Sequence, residues 1–311
     1  MNKIILFLLC FLLGSSFSTF AQGRDREIKI SRQQESPVKT VKVRGKGKIK
    51  NVVFMIGDGM SLAHMYSTWA ANKGKLNLEN CQTVGLAKTY CYDRLITDSG
   101  AAGTVLATGH KTRYHAVGVD PEGKPLLTLT DLAAAKSKST GVVVTCRLND
   151  ATPAAFCAHN SDRDQAEALI ADYAGCGVDF IFGGGKRYFC ERKDGRNILE
   201  EMKALGYQTP ENQEQLDAIQ TGKVLAVWAD HDLPRPSVRK EMLTESTMKA
   251  LELLSQNKKG FFLMVEASQI DDYGHANQLD PLVEEILDFD RTIGKVFEWA
   301  AADGETLVVV T

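Results

Sequence analysis

Asn51-Val52-Val53-Phe54-Met55-Ile56-Gly57-Asp58 is the stretch that decides the fold. Val52 to Ile56 is apolar without interruption, not alternating as a strand with one face in water would be, so it reads as a strand covered on both sides. Five further runs of this kind are predicted at 141–146, 178–182, 223–228, 260–265 and 305–310. Helical patterns lie between them at 61–72, 100–108, 126–136, 162–173, 196–205, 237–255 and 279–302. The last is the clearest: Leu282, Ile286, Phe289, Ile293, Val296 and Ala300 recur every three or four residues and make one apolar stripe. Buried strands alternating with helices predict an α/β fold of three layers, a largely parallel sheet with helices on both faces. No internal repeat interrupts it, and 206–222 and 229–237 read as loops.

Composition sets the context. Residues 1–21 read as a secretory signal peptide, with Lys3, an apolar run over 4–13 and Thr19-Phe20-Ala21 before the expected cleavage. That run is too short to span a bilayer, and no later segment is long and apolar enough to try, so stable membrane insertion is not expected. Residues 22–50 hold ten Lys and Arg against three Asp and Glu, a local charge of +7; with Lys3 and a whole-chain charge of −2, residues 51–311 carry −10. The basic stretch, 22–49, reads as an exposed flexible segment, and the acidic remainder as one folded body with no nucleic-acid surface. Cys81, Cys91, Cys146, Cys157, Cys176 and Cys190 lie beyond the signal. Six cysteines suit an oxidising compartment, allow about 15 pairings, and form no Cys-x-x-Cys zinc site.

The chemistry gathers at strand ends. Asp58 follows the first strand, Glu266 ends the run 261–265, and Asp150 and Thr152 follow the valine strand by a few residues. Ligands of open α/β sheets bind outside the carboxyl ends of the strands. Carboxylates converging there repel one another, and bound cations make the arrangement favourable. Asp271 and His275, four residues apart, share a face of a helical turn; a carboxylate with an imidazole suits Zn²⁺, whereas the oxygen set Asp58, Thr152 and Glu266 suits Mg²⁺. In Leu95-Ile96-Thr97-Asp98-Ser99-Gly100-Ala101-Ala102-Gly103-Thr104, strand-like sequence gives way to a small-residue helix start. Ser99 there is a nucleophile candidate, with the first helical N–H groups directed at an anion on its oxygen.

Four ordered motifs together resemble the metal-dependent alkaline phosphatases. They are Asn51 to Met60, Thr97 to Ala102, Asp150-Ala151-Thr152-Pro153-Ala154-Ala155 with His159 to Arg163, and Val265 to Asp271 with His275. The resemblance runs from about residue 50 to 311 and implies a catalytic domain there. It implies two zinc ions, one magnesium and small phosphomonoester substrates. Ser99 matches the phosphorylated serine, and Arg163 the arginine that grips phosphate oxygens. Asp58 matches the carboxylate shared by a zinc and the magnesium, Thr152 and Glu266 match magnesium ligands, and Asp271 and His275 match ligands of the other zinc. It further implies a homodimer, while the signal peptide points to a secreted or periplasmic location.

Two departures accompany it. Asp150 and Asp272 stand where family members vary among carboxylate, lysine and histidine, which bears on magnesium preference. After Leu307-Val308-Val309-Val310-Thr311 the family continues with Ala-Asp-His and later another histidine. Without these the domain is incomplete, truncated at its C-terminus, and the 311-residue form is expected to be weakly active or inactive. Alternatives are a phosphodiesterase or sulfatase of the same superfamily, or a non-catalytic remnant. Among other residues, Phe182-Gly183-Gly184-Gly185-Lys186 reads as a strand-end turn rather than a phosphate cradle, and His231-Asp232 as loop. His64, His110 and His115 lack metal partners at useful spacing, and His159 either orients Arg163 or a carboxylate behind the metal ligands, or packs.

Overall fold

In the computed structural model, β1 (Asn51–Gly57) hydrogen-bonds in parallel to a strand on each side, which is why its apolar run needs no polar face. The structure describes residues 36–42, 45 and 47–311, all within one compact unit spanning 35–311. The expected signal peptide at 1–21 lies outside the described residues. The other strands are β2 (Ser139–Arg147), β3 (Phe180–Gly184), β4 (Tyr207–Gln208), β5 (Lys223–Val227), β6 (Phe261–Ala267) and β7 (Thr306–Val310). They form one parallel sheet in the order β4-β5-β3-β2-β6-β1-β7. β6 lies between β1 and β2, with Glu266 level with Ile56 on one side and Val144 on the other. The carboxyl ends of these three strands therefore open at one place.

Helices cover both faces. They are α1 (Leu62–Ala71), α2 (Ser99–Thr108), α3 (Leu129–Ala135), α4 (Ala151–Cys157), α5 (Ala166–Cys176), α6 (Lys186–Cys190) and α7 (Ile198–Ala204). The second half adds α8 (Gln213–Ala218), α9 (Pro236–Arg239), α10 (Met242–Leu254), α11 (Gln269–His275) and α12 (Leu279–Asp303). Val142, Val144, Phe262 and Met264 point to one face, where they bury Phe156, Leu169, Ile170 and Tyr173 of α4 and α5. Gly141 points to the other, where a Cβ would press on Leu254 of α10 and Leu263. All six apolar residues of the predicted stripe on α12 are buried. Each fully buried Leu, Ile or Phe contributes about 1.5–3 kcal/mol.

Several local expectations are corrected. The segment before Ser99 is irregular rather than strand-like, because Leu95 and Ile96 have no strand to pair with and stand exposed. The predicted 237–255 helix is two: Lys240 takes a positive φ of 58° between α9 and α10, while Arg239 turns into the core. The expected loop 206–222 contains β4 and α8, the latter capped by Asn212. α4, unforeseen as a helix, starts at Asp150, whose carboxylate accepts from the Ala151 amide.

Part of the basic segment is docked rather than free. Ser36 N donates to Asn72 Oδ1 at 2.9 Å, Lys39 N to Asn77 at 3.3 Å, and Val41 N to Asn80 at 2.9 Å. The same three asparagine amides donate back to the carbonyls of Ser36, Pro37 and Lys39. Side-chain amides thus replace the neighbouring strand that an extended segment needs. No helix among the described residues is long and apolar enough to cross a membrane.

Candidate active site

The close packing of α2 on α4 brings Ser99 and Thr152 to the same strand ends. Small residues permit it: a Cβ on Gly103 would lie 3.3 Å from both the Thr152 Cα and the Ala155 Cβ. Asp98 caps α2, its carboxylate accepting from Gly100 N at 3.2 Å and Ala101 N at 3.1 Å. These two amides are consequently engaged, a correction to the expectation that the first helical N–H groups face an anion on the serine. Ser99, the first helical residue, donates its hydroxyl to Asp58 at 3.0 Å and lies 3.2 Å from the second oxygen of that carboxylate.

The remaining predicted residues adjoin this pair. Glu266, 1% exposed, accepts from Ser268 Oγ at 2.8 Å and from the Thr152 hydroxyl. Asp271 opens α11 beside Gly59, whose φ of +63° and lack of a Cβ let the backbone pass against the carboxylate. His275 Nε2 lies 3.3 Å from Asp271 Oδ2, and its side chain is 80% exposed, the most open of the set. Arg163 bridges two acids, with one terminal nitrogen 3.1 Å from Asp98 and the other 3.0 Å from Asp150.

Electrostatics show what the set lacks. Burial pushes Asp58 from its ordinary 3.8 to about 7, with repulsion from Asp271 adding to it and the Ser99 hydrogen bond opposing it. Burial also raises Glu266 far above the carboxylate range, reinforced by the charge of Asp58. Burial alone would raise Asp98, but the amides of Ala101 and His115 and the Arg163 guanidinium outweigh it and hold Asp98 below the usual range. Burial thus favours the protonated form of both Asp58 and Glu266 unless positive charge joins them. Their oxygens, with the Thr152 hydroxyl, make a hard-donor set that fits Mg²⁺, and Asp271 with His275 offers the mixed donors that suit Zn²⁺. Asp272, also raised chiefly by burial, feels Asp232 and Asp150.

Sequence reasoning missed three participants. Asp98, 65 residues before Arg163, is its partner. Arg147 spans Asp232 at 3.0 Å and Asp150 at 3.2 Å, which leaves the Asp232 carboxylate engaged rather than open to a metal. His115, expected to lack metal partners at useful spacing, lies 3.1 Å from Asp164 and 3.7 Å from Asp162, and its backbone accepts from Arg163 N and donates to Asp98. Apart from Arg147 with Asp150, three residues on, tertiary contact alone joins these residues, so local spacing could not reveal them. His159 does not reach Arg163: its ring bonds the Leu126 carbonyl at 3.0 Å. The turn at Gly185 and Lys186 gives its amides to the carbonyls of Ala229 and His231, as a structural turn would.

Residues 49–311 match the alkaline phosphatase family profile. The chain belongs to the alkaline phosphatase family. Alkaline phosphatase 4 of Bacillus subtilis is 37% identical over 296 residues, covering 89% of this chain. The chain spans only 64% of that relative's length. Among solved structures, the alkaline phosphatase from the Antarctic bacterium TAB5 superposes with a TM-score of 0.83 at 35% identity, over 85% of this chain and 78% of the other. A mutant of that TAB5 protein, solved with Mg bound in its M3 site, superposes with a TM-score of 0.81 at 34% identity, covering 86% and 78%. The α/β architecture is thus that of the alkaline phosphatases.

Proposed function

We propose that this chain carries the phosphoryl-transfer site of a phosphate monoester hydrolase working through a phosphoserine. The observation that supports it most is the Ser99 hydroxyl held 3.0 Å from Asp58 beside an arginine pinned by Asp98 and Asp150. Asp58 orients the Ser99 Oγ, which attacks phosphorus while the bond to the ester oxygen breaks and the alcohol leaves. Water then attacks the phosphoserine, releasing phosphate and restoring the hydroxyl. Each terminal nitrogen of Arg163 keeps an N–H beyond the one given to Asp98 or Asp150, a pair of donors suited to two phosphate oxygens. Asp58, Thr152 and Glu266 would hold magnesium, Asp58 also one zinc, and Asp271 with His275 the second zinc. When bound, such ions lower the pKa of a hydroxyl or water and stabilise the departing oxygen.

The same reading makes residues 1–21 a secretory leader, 22–49 a basic segment and 50–311 the catalytic domain of a secreted or periplasmic, homodimeric enzyme acting on small phosphomonoesters. The test is turnover of p-nitrophenyl phosphate, its diester and its sulfate with zinc and magnesium added. The monoester is expected to dominate; leading turnover of the diester or the sulfate would overturn the assignment. Ser99→Ala should lower monoester turnover by about a thousandfold or more while leaving metal binding in place. An unreduced rate would exclude Ser99 as nucleophile.

A further inference from the structure

Cys157 and Cys176 are the last residues of α4 and α5, respectively. Their thiols hydrogen-bond to each other, Cys157 donating to Cys176. Both line a cavity of about 500 Å³, together with Thr128, Asp131, His159 and Asp172. Cys157 is 4% exposed and Cys176 is more open, and both meet the same cavity. From this geometry we infer that Cys157 and Cys176 are a redox-active dithiol that closes to a disulfide, tying α4 to α5 around the loop that carries Arg163.

The supporting chemistry is asymmetric. The hydrogen bond from Cys157 holds the Cys176 thiol below its ordinary range, and the Val178 amide and Lys223 add to this. Burial pushes the Cys157 thiol well up. Cys176 is then the attacking thiolate and Cys157 the resolving thiol. Cys176 attacks a sulfur of an external disulfide, forming a mixed disulfide and releasing one thiol. Cys157 then loses its proton and attacks Cys176 Sγ, expelling the second thiol. Two cysteine thiols are oxidised by two electrons while the external disulfide is reduced to two thiols. Cys146 and Cys91 are engaged elsewhere: Cys146 lies against Glu266 and Cys91 against Asp93 and the Arg94 carbonyl.

The bond would encircle His159, Asp162, Arg163 and Asp164, so it braces the arginine's loop without touching phosphate. The test equilibrates the folded chain in glutathione buffers of graded oxidation, blocks free thiols and maps the peptides by mass spectrometry. A Cys157–Cys176 cross-link that appears on oxidation and reverses with dithiothreitol is expected. The oxidised chain should also melt about 5 °C or more above the reduced one. Cys157→Ser/Cys176→Ser should melt with the reduced chain and ignore the buffer. Full alkylation of both residues after oxidation, or pairing of either with another cysteine, would overturn the inference, whatever the behaviour of the double variant.

Discussion

Asp58→Asn should stabilise the metal-free protein at alkaline pH, although it removes a central acid. Asp58 is raised from 3.8 to about 7, so the metal-free native chain keeps its proton up to about pH 7 whereas the unfolded chain releases it near 4. Between those values the native state binds more protons, and stability falls as pH rises; above about 7 the loss is complete. Three pKa units correspond to ~4 kcal/mol, an upper bound, since Asp271 and Glu266 relax when Asp58 changes. Asparagine resembles the protonated acid and cannot ionise. Even ~2 kcal/mol of recovered stability raises the midpoint by roughly 4–8 °C. Thermal melts in chelator at pH 8 and pH 5 give the measurement, with the advantage of the variant shrinking at pH 5. Adding zinc and magnesium should reverse the order, because a native-state ligand at a hundredfold excess over Kd contributes about 2.7 kcal/mol that the variant forgoes. A variant less stable than the parent at pH 8 in chelator, or an equal offset at both pH values, would refute the reasoning.

Arg163→Lys keeps the charge but loses the planar fork that serves Asp98, Asp150 and two further oxygens, so kcat/KM on a monoester should drop about 10–100-fold with the melting point little changed. Steady-state kinetics alongside melting checks it, and wild-type kinetics would remove Arg163 from the site. Arg239→Leu should cost about 3–5 kcal/mol, because it leaves the fully buried Glu285 without its cation and Asp288 to Arg291, 3.0 Å away. Urea unfolding reads this directly, and a loss under 1 kcal/mol would show that the two acids find other partners.

Much of the fold was legible because burial on both faces leaves its mark on each strand separately. β1, β2, β5 and β6 are apolar runs whose meaning needs no knowledge of their neighbours. α12 declares itself by its stripe. What escaped was set by partners far away. The break at Lys240 exists because Arg239 must reach Glu285 and Asp288, 46 and 49 residues on. The docking of residues 36–41 depends on Asn72, Asn77 and Asn80, polar residues whose pattern resembles any exposed turn. In the site, Asp58 and Glu266 were legible as chemistry stationed at strand ends, and Ser99 as the residue that opens a small-residue helix. The pairing of Arg163 with Asp98, and of Arg147 with Asp232, was not, since helix caps and salt bridges carry no mark of a partner dozens of residues away.

On the proposed reading, protons and divalent ions would compete for the same oxygens in this site. Among the described residues, Asp58, Asp98, Asp150, Asp232, Glu266, Asp271 and Asp272 gather around Arg147 and Arg163, with the imidazoles of His275 beside Asp271 and His115 beside Asp98, and both guanidiniums are already engaged by carboxylates. Fully ionised, such a cluster repels a phosphate dianion; protonated, it cannot hold a cation. Binding a divalent ion to Asp58 must displace the proton that burial retains there to about pH 7. Metal affinity should therefore fall about tenfold for each pH unit below 7, more steeply where the Glu266 proton leaves as well, and level off above it. Competition against a chromophoric chelator from pH 5.5 to 8.5 measures the slope. An affinity that does not change across this range would mean that Asp58 is ionised before any cation arrives, and the charge argument for the site would fail at its first step.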